Sequence, residues 1–187
     1  MALGEGPQCQ VPAVDGVKLG AVAVVPGGMG ILVNADGTPS ESGMTYKPDA
    51  RTTKKENAEQ WLERDPEIKC YLPGVPRANY MPYPFQIIQN KNAVFIAYEY
   101  AGAVRDVYFD NDIPAPVDSW MGQSDGHWEG DTLVVDTTNF ADRPGLGGAT
   151  RNLHVIERFS RVDESTLLYD FTVNDPTVWT QPWQGQY

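Results

Sequence analysis

Residues 124–137, SDGHWEGDTLVVDT, decide how this chain folds. Two extended runs flank Gly130-Asp131, a dipeptide suited to the positive-φ corners of a two-residue turn. The pattern predicts a β-hairpin in which Glu129 pairs with Thr132. Strand side chains alternate between faces, so this register defines a dry face and a wet face. The dry face carries Gly126, Trp128, Leu133 and Val135. The wet face carries Asp125, His127, Glu129, Thr132 and Asp136.

The rest of the chain repeats this pattern of short strands and local turns. Strand-like runs are predicted at residues 85–89, 94–100, 105–110 and, as a second hairpin, 153–173. One helix is predicted at residues 49–64, with Asp49 as its N-cap and Trp61 packing it onto a sheet. Asp65-Pro66 is expected to end this helix, because proline disfavours helical geometry in the residue before it.

Consecutive short strands with a single helix predict a mainly β fold. The expected architecture is an antiparallel up-and-down barrel or curled sheet of the lipocalin or calycin kind. A two-sheet sandwich gives similar patterns and remains an alternative. With 187 residues, the chain is expected to form one β-rich domain over residues 1–187. Residues 1–45 are expected to form an irregular or strand-like arm.

The composition limits the classes of partner. A formal charge of −11 and a pI near 4.5 argue against nucleic acid and against an anionic membrane surface. No run approaches the roughly 18 apolar residues that a membrane helix needs, so no membrane insertion is expected. The N-terminus lacks the regions of a secretory signal, so either the protein is cytoplasmic or a leader is missing. Cys9 and Cys70 lack CxxC spacing and form either one disulfide or two separate thiols.

The predicted registers of two further hairpins determine a candidate interior. If Glu164-Ser165 forms the second hairpin's loop, one face carries His154, Ile156, Arg158, Leu167, Tyr169, Phe171 and Val173. If Tyr100 pairs with Arg105, an apolar face carries Val94, Ile96, Tyr98, Val107 and Phe109, together with Arg105. A buried guanidinium costs several kcal/mol unless it is paired, so both arginines need partners. Internal carboxylates and carbonyls are one possibility, and a ligand oxygen in a cavity is the other.

The second possibility gives the functional hypothesis. The ligand is expected to be a small, mostly apolar, oxygenated molecule, and the reaction a cofactor-independent lyase, cyclase or isomerase step. His154 is the candidate acid/base, Tyr98 a hydrogen-bond donor, and Arg105 with Arg158 the oxyanion clamp. The candidate ligand-binding residues are Trp128, Tyr169, Phe171 and Ile96. No cofactor and no metal are predicted.

Two alternatives use other residues. Asp125, His127, Glu129 and Asp136 on the wet face could supply metal ligands, but a solvated polar face explains them more simply. A non-catalytic extracytoplasmic binding or assembly module is the other alternative. In that reading Trp120, Trp179 and Trp183 are exposed and contact carbohydrate or a protein partner.

Three motifs together resemble one protein family. They are LPGVPR at 72–77 with YPFQI at 83–87, WEGDTLVVDT at 128–137 and LHVIERF at 153–159. The family is a large bacterial family of mostly exported, β-rich proteins, and the resemblance covers roughly residues 65–183. It implies export and a β-rich body but transfers no activity. Members usually have Asp-Gly-Arg at positions 110–112 and a further strand after Trp183. This chain has Asp-Asn-Asp at positions 110–112. The absence of a strand after Trp183 is expected to leave one edge of the sheet open, for pairing with another protomer or for covering by the N-terminal arm.

Overall fold

A computed structural model describes residues 2–4, 18–24, 31–33, 43–109, 114–142 and 147–187, the first two ranges and residue 31 by backbone alone. The strands are β1 Ala2–Gly4, β2 Lys18–Val24, β3 Ile31–Val33, β4 Phe85–Gln89, β5 Ala93–Tyr98, β6 Val104–Phe109, β7 Gln123–Glu129, β8 Thr132–Thr138, β9 His154–Arg161, β10 Leu167–Asn174 and β11 Trp183–Gln186. The helices are α1 Pro48–Glu59, α2 Trp61–Arg64 and α3 Arg77–Tyr80. Single 3-10 turns cover Glu67–Lys69 and Tyr100–Gly102.

All of these strands belong to one mixed sheet in the order β1-β2-β4-β5-β6-β7-β8-β9-β10-β11-β3. The sheet is curled and open, since β1 and β3 at its two ends do not pair with each other over the residues described. The predicted mainly β fold is therefore confirmed in its curled-sheet form. Strand β3 pairs with β11 through Gln184 and Val33, so a strand of the N-terminal arm covers this edge, which is one of the two alternatives considered from the sequence. Strands β1 and β2 of the same arm form the other end of the sheet, where β2 pairs with β4. Cys9 lies outside the described residues.

One strand pair departs from the antiparallel expectation. Strands β6 and β7 run parallel, with Val107 opposite Ser124. The connection between them, residues 110–122, has the dozen or more residues that a parallel crossover needs. Every other neighbouring pair in the sheet is antiparallel.

The helical segment lies where the sequence predicts it but packs differently. It is interrupted at Gln60, which has φ −114° and ψ 34°, and it ends at Asp65 as expected. Pro48 occupies the first turn, and the N-cap is Lys47 with no side-chain capping bond, so the predicted capping role of Asp49 was wrong. Trp61 is 51% exposed, so the prediction that it packs the helix onto the sheet was wrong. Ala50 is the buried residue of α1.

The register of the β7–β8 hairpin agrees with the sequence prediction. Glu129 pairs with Thr132 and Trp128 with Leu133. In the β5–β6 hairpin, Arg105 pairs with Ile96 instead of Tyr100. Because this shift is an even number of positions, the predicted faces are preserved. Arg105 points to the same side as Tyr98, as predicted, and both are buried.

The β9–β10 hairpin has a different register from the predicted one. Leu167 pairs with Arg161, and a hydrogen bond from the Val162 amide to the Thr166 carbonyl spans a three-residue loop, residues 163–165. A one-residue change of register reverses every side chain of a strand. The residues of β9 that face the core are therefore Val155, Glu157 and Phe159, all buried. The inward positions predicted for His154, Ile156 and Arg158 were wrong.

The core lies on one side of the sheet, which we call the inner face. Its buried side chains include Val94, Ile96, Val107, Val135, Val155, Phe159, Tyr169, Phe171 and Val173. Helix α3 lies against this face, because Asn79 reaches side chains of β5, β9 and β10. The outer face of β7, β8 and β9 carries His127, Asp136, His154 and Arg158, all at least partly exposed. No helix among the described residues is long and apolar enough to cross a membrane.

Candidate functional site

A buried ion pair lies at the centre of the inner face. Arg105 on β6 is 3% exposed, and Glu157 on β9 is fully buried. Arg105 donates from Nη2 to Glu157 Oε2 and from Nη1 to Oε1, the latter over 3.2 Å. Nε donates to Ser124 Oγ at 2.9 Å, and Nη2 also donates to Thr137 Oγ1 at 2.8 Å. Burial acts to lower the pKa of Arg105, but the Glu157 carboxylate outweighs it and holds this pKa above its ordinary value.

Two tyrosines and one asparagine complete this polar network. Tyr169 Oη donates to Glu157 Oε1 at 2.7 Å, and Tyr98 Oη donates to Asn79 Oδ1 at 2.7 Å. Asn79 Nδ2 donates to Glu157 Oε1 at 2.5 Å and to Tyr169 Oη at 3.0 Å. Burial raises the pKa of Tyr98 to about 12 and that of Tyr169 well above the ordinary tyrosine value. Both phenols therefore stay protonated at neutral pH and act as donors.

The polar network satisfies its own members. Arg105 has the internal carboxylate and hydroxyl partners that the packing explanation requires, so its guanidinium is occupied without a ligand. The sequence predicted only some of the residues of this network. Tyr98, Arg105 and Tyr169 were assigned to the interior, whereas Glu157 and Asn79 were missed.

His154 and Arg158 belong to the outer face. His154 Nε2 lies 2.9 Å from both carboxylate oxygens of Asp136. Arg158 Nη2 donates to Glu129 Oε2 at 2.5 Å, and His127 Nε2 lies 3.2 Å from Glu129 Oε1. Hydrogen bonds from Arg158 and His127 hold the pKa of Glu129 below its ordinary value, and the bond from Arg158 has the larger effect. The four residues predicted to act together in catalysis are thus divided between opposite sides of the sheet.

The metal alternative concerns the same outer face. In the part of the chain that the structure describes, no group of three or more His, Cys, Asp or Glu side chains is arranged to hold a metal ion. Glu129 is engaged by Arg158 and His127, and Asp136 by His154. These contacts are those of a solvated surface with ion pairs.

The inner face holds a cavity of about 760 Å³ beside the polar network. Its floor is apolar and consists of Ile87, Val94, Ile96, Leu133, Phe159 and Leu167. Its rim consists of Gln89, Trp128, Asp131, Arg161, Val162, Asp163 and Glu164, close to the turns of the β7–β8 and β9–β10 hairpins. Trp128 at the rim is 46% exposed, which shows that the cavity opens to solvent there.

The floor and the polar network are adjacent layers of the same sheet face. Ile96 lies two residues before Tyr98 on β5, and Phe159 lies two residues after Glu157 on β9. Residues two apart on a strand share a face and are separated by roughly 6.6 Å. The network therefore lies next to the apolar floor along β5 and β9, and through Asn79 it links these two strands.

The predicted ligand-binding residues are only partly assembled at this cavity. Ile96 and Trp128 line it. Tyr169 belongs to the polar network, and Phe171 packs between Tyr169 and Trp183, with ring centroids 5.2 Å and 5.8 Å away. Phe159 was missed because β9 was reversed. One signal favoured the observed face, since it has two apolar residues among three, Val155 and Phe159, against one on the other face.

The tryptophans assigned to surface contacts are mostly internal. Trp179 and Trp183 are 2% and 9% exposed and pack edge to face, with ring centroids 5.7 Å apart. Trp120 is half-buried and stacks on Tyr71 at 4.7 Å. The expectation that Trp179 and Trp183 are exposed was wrong, and these two residues are core.

Comparisons of the chain with protein-family models, with curated proteins and with solved structures found no match.

Proposed function

We propose that the protein binds a small, mostly apolar molecule in the cavity on the inner face of its sheet. The observation that carries the proposal is the apolar floor at one open end of a curled sheet. Ligand pockets typically enclose about 300–1,000 Å³ and combine apolar walls with a few polar groups. The cavity falls in this range, and its polar groups are confined to the rim.

The polar network supports binding without contacting the ligand. Arg105 and Glu157 join β6 to β9, and hydrogen bonds extend from them to Ser124 on β7 and Thr137 on β8. Asn79 ties α3 to the same carboxylate. A floor held rigidly in place before the ligand arrives loses less conformational entropy on binding.

The proposal is for binding and does not include turnover. His154 and Arg158, the candidate acid/base and half of the candidate clamp, face away from the cavity. Arg105 is paired internally. Binding without catalysis agrees with the second class of function considered from the sequence, although with other residues than the tryptophans expected there.

The test uses two isoleucines that follow one another on β4. Ile87 lines the cavity and pairs with Ile96, whereas Ile88 pairs with Phe95 on the outer face. Binding of the neutral fluorescent probe N-phenyl-1-naphthylamine is titrated in the unaltered protein, in Ile87→Trp and in Ile88→Trp. We expect one saturable site, weakened at least about tenfold when the Ile87→Trp side chain fills the cavity and unchanged in Ile88→Trp.

Other outcomes contradict the proposal. Absence of saturable binding in the unaltered protein would do so. An equal loss of affinity in both variants would place the probe elsewhere. Circular dichroism of each variant, measured before titration, establishes that the sheet is retained.

A further inference from the structure

The charges at the cavity rim specify the class of ligand. Asp131 lies at the turn of the β7–β8 hairpin, and Asp163 and Glu164 lie in the loop of the β9–β10 hairpin. Among the described side chains, these carboxylates lie at the opening together with the guanidinium of Arg161. The rim is therefore acidic, and the whole chain carries a formal charge of −11. Both fields repel anionic ligands.

Among the side chains that the structure describes at the rim, the cation is already engaged. Arg161 donates from Nε to the Asp163 carbonyl at 2.9 Å and from Nη2 to the Glu164 carbonyl at 2.8 Å. These bonds tie the guanidinium to the backbone of its own loop. A ligand carboxylate would have to compete with them and also approach the neighbouring carboxylates.

Asp163 keeps its charge in this setting. Asp163 Oδ1 accepts hydrogen bonds from the Ser165 amide at 2.7 Å and from Ser165 Oγ at 3.0 Å. These bonds hold the pKa of Asp163 below its ordinary value, and the bond from the Ser165 amide has the largest effect. The side chain is thus an anion at neutral pH and its loop is ordered around it.

Trp128 adds a second kind of cation-attracting group to the rim. Its side chain is 46% exposed and lines the cavity beside Asp131. A cation near the face of an indole ring is attracted by the electron density of the ring. An aromatic ring and carboxylates above an apolar floor form a site for an ammonium group on an apolar body.

From this arrangement we infer that the ligand is an amphiphilic cation, with an apolar body on the floor of the cavity and an amine or quaternary ammonium group at the acidic rim. The inference rests on the proposed function, since it assigns a ligand class to the same cavity. It replaces the oxygenated ligand expected from the sequence, because the arginines assigned to a ligand oxygen do not line the cavity.

The test compares three ligands that share one apolar chain. Decyltrimethylammonium, decanol and decanoate are each titrated, below their micelle concentrations, against the protein loaded with N-phenyl-1-naphthylamine. We expect all three to displace the probe to some extent, in the order of affinity cation, alcohol, anion. Ile87→Trp is expected to weaken the cation at least about tenfold.

Matched charge variants separate the rim from general attraction to an acidic protein. The rim variant is Asp131→Asn with Glu164→Gln. The control variant is Glu59→Gln with Glu63→Gln, which removes the same charge from the exposed surface of the helices. We expect the rim variant to weaken the cation about twofold to thirtyfold, because each of its two substitutions removes one exposed charge pair. The control variant is expected to change the affinity less than twofold.

The outcomes distinguish this inference from the proposal beneath it. If decanoate binds as tightly as the cation, or if both charge variants lose affinity equally, the inference is overturned while the cavity remains a binding site. If none of the three ligands displaces the probe, or if Ile87→Trp leaves all of them unaffected, the proposed function fails as well.

Discussion

Removing the charge of Glu157 should destabilise the protein more than any other single neutralisation among the described ion pairs. Its Oε1 accepts from Asn79, Tyr169 and Arg105, and its Oε2 accepts from Arg105. In Glu157→Gln, one of these oxygens becomes an NH2 group that faces donors in either orientation of the amide. The buried guanidinium of Arg105 then also lacks its counter-charge.

The size of the effect follows from burial. Breaking a buried pair by removing one partner costs about 3–5 kcal/mol. For a chain of this length, each kcal/mol lowers Tm by about 2–4 °C, so the expected fall in Tm is about 6–20 °C. The free energy of unfolding is measured by urea denaturation, followed by circular dichroism and by tryptophan fluorescence.

The control is an exposed Arg–Glu pair that also uses strand β9. Glu129 and Arg158 form an ion pair on the outer face with side-chain exposures of 49% and 43%. Glu129→Gln is expected to leave the free energy of unfolding almost unchanged, because water solvates both partners. The double variant Arg105→Met, Glu157→Gln should be more stable than Glu157→Gln alone, since it removes the unpaired buried charge. A loss below about 1 kcal/mol in Glu157→Gln would refute this account of the network.

Three further predictions concern other parts of the sheet. A Cβ added at Gly185 would overlap the Phe171 ring, so Gly185→Ala should lower the free energy of unfolding by about 1–3 kcal/mol in urea denaturation, and an unchanged value would contradict the packing. Burial opposes ionisation of Asp175, but hydrogen bonds from Thr177 and Thr150 hold its pKa below the ordinary value. The ionised side chain therefore stabilises the folded protein fully above about pH 4, and this contribution is lost as the pH falls through the folded pKa. Asp175→Asn should therefore flatten the fall in Tm between about pH 5 and pH 2, and an unchanged slope would refute this. His154 lies on the outer face, so His154→Ala should leave the affinity for N-phenyl-1-naphthylamine unchanged, and a large loss of affinity would contradict this placement.

The sequence signals differed greatly in strength between the hairpins. Gly130-Asp131 is a two-residue turn with Gly130 at φ +60°, and its composition was sufficient to obtain the register. The loop at residues 163–165 is Asp-Glu-Ser, and each of these residues suits a turn of two or of three positions. The β5–β6 connection contains Ala101 at φ +56°, a conformation that alanine rarely adopts and that composition does not indicate.

The residues of the candidate site were predictable only where the alternation of side chains along a strand was sufficient to determine which face they occupy. The inward positions of Tyr98 and Arg105 followed from alternation and survived an even shift in register. Asn79 lies 78 positions from Glu157 in the chain, and no local pattern links the two residues. The cavity was equally hidden, because its floor is made from strands that are brought together only by the complete sheet.

The buried ion pair also has a consequence for how strand β9 finds its place. Sliding β9 by one residue would put either Ile156 or Arg158 where Glu157 now meets Arg105. The first would leave a guanidinium in the core without a counter-charge, and the second would bury two guanidinium groups together, which is more costly still. Hydrophobic residues alone discriminate weakly here, because both sides of β9 carry some. We infer that Arg105 fixes the register of β9 in the sheet. In Arg105→Met, amide hydrogen exchange should reveal a mixture of registers.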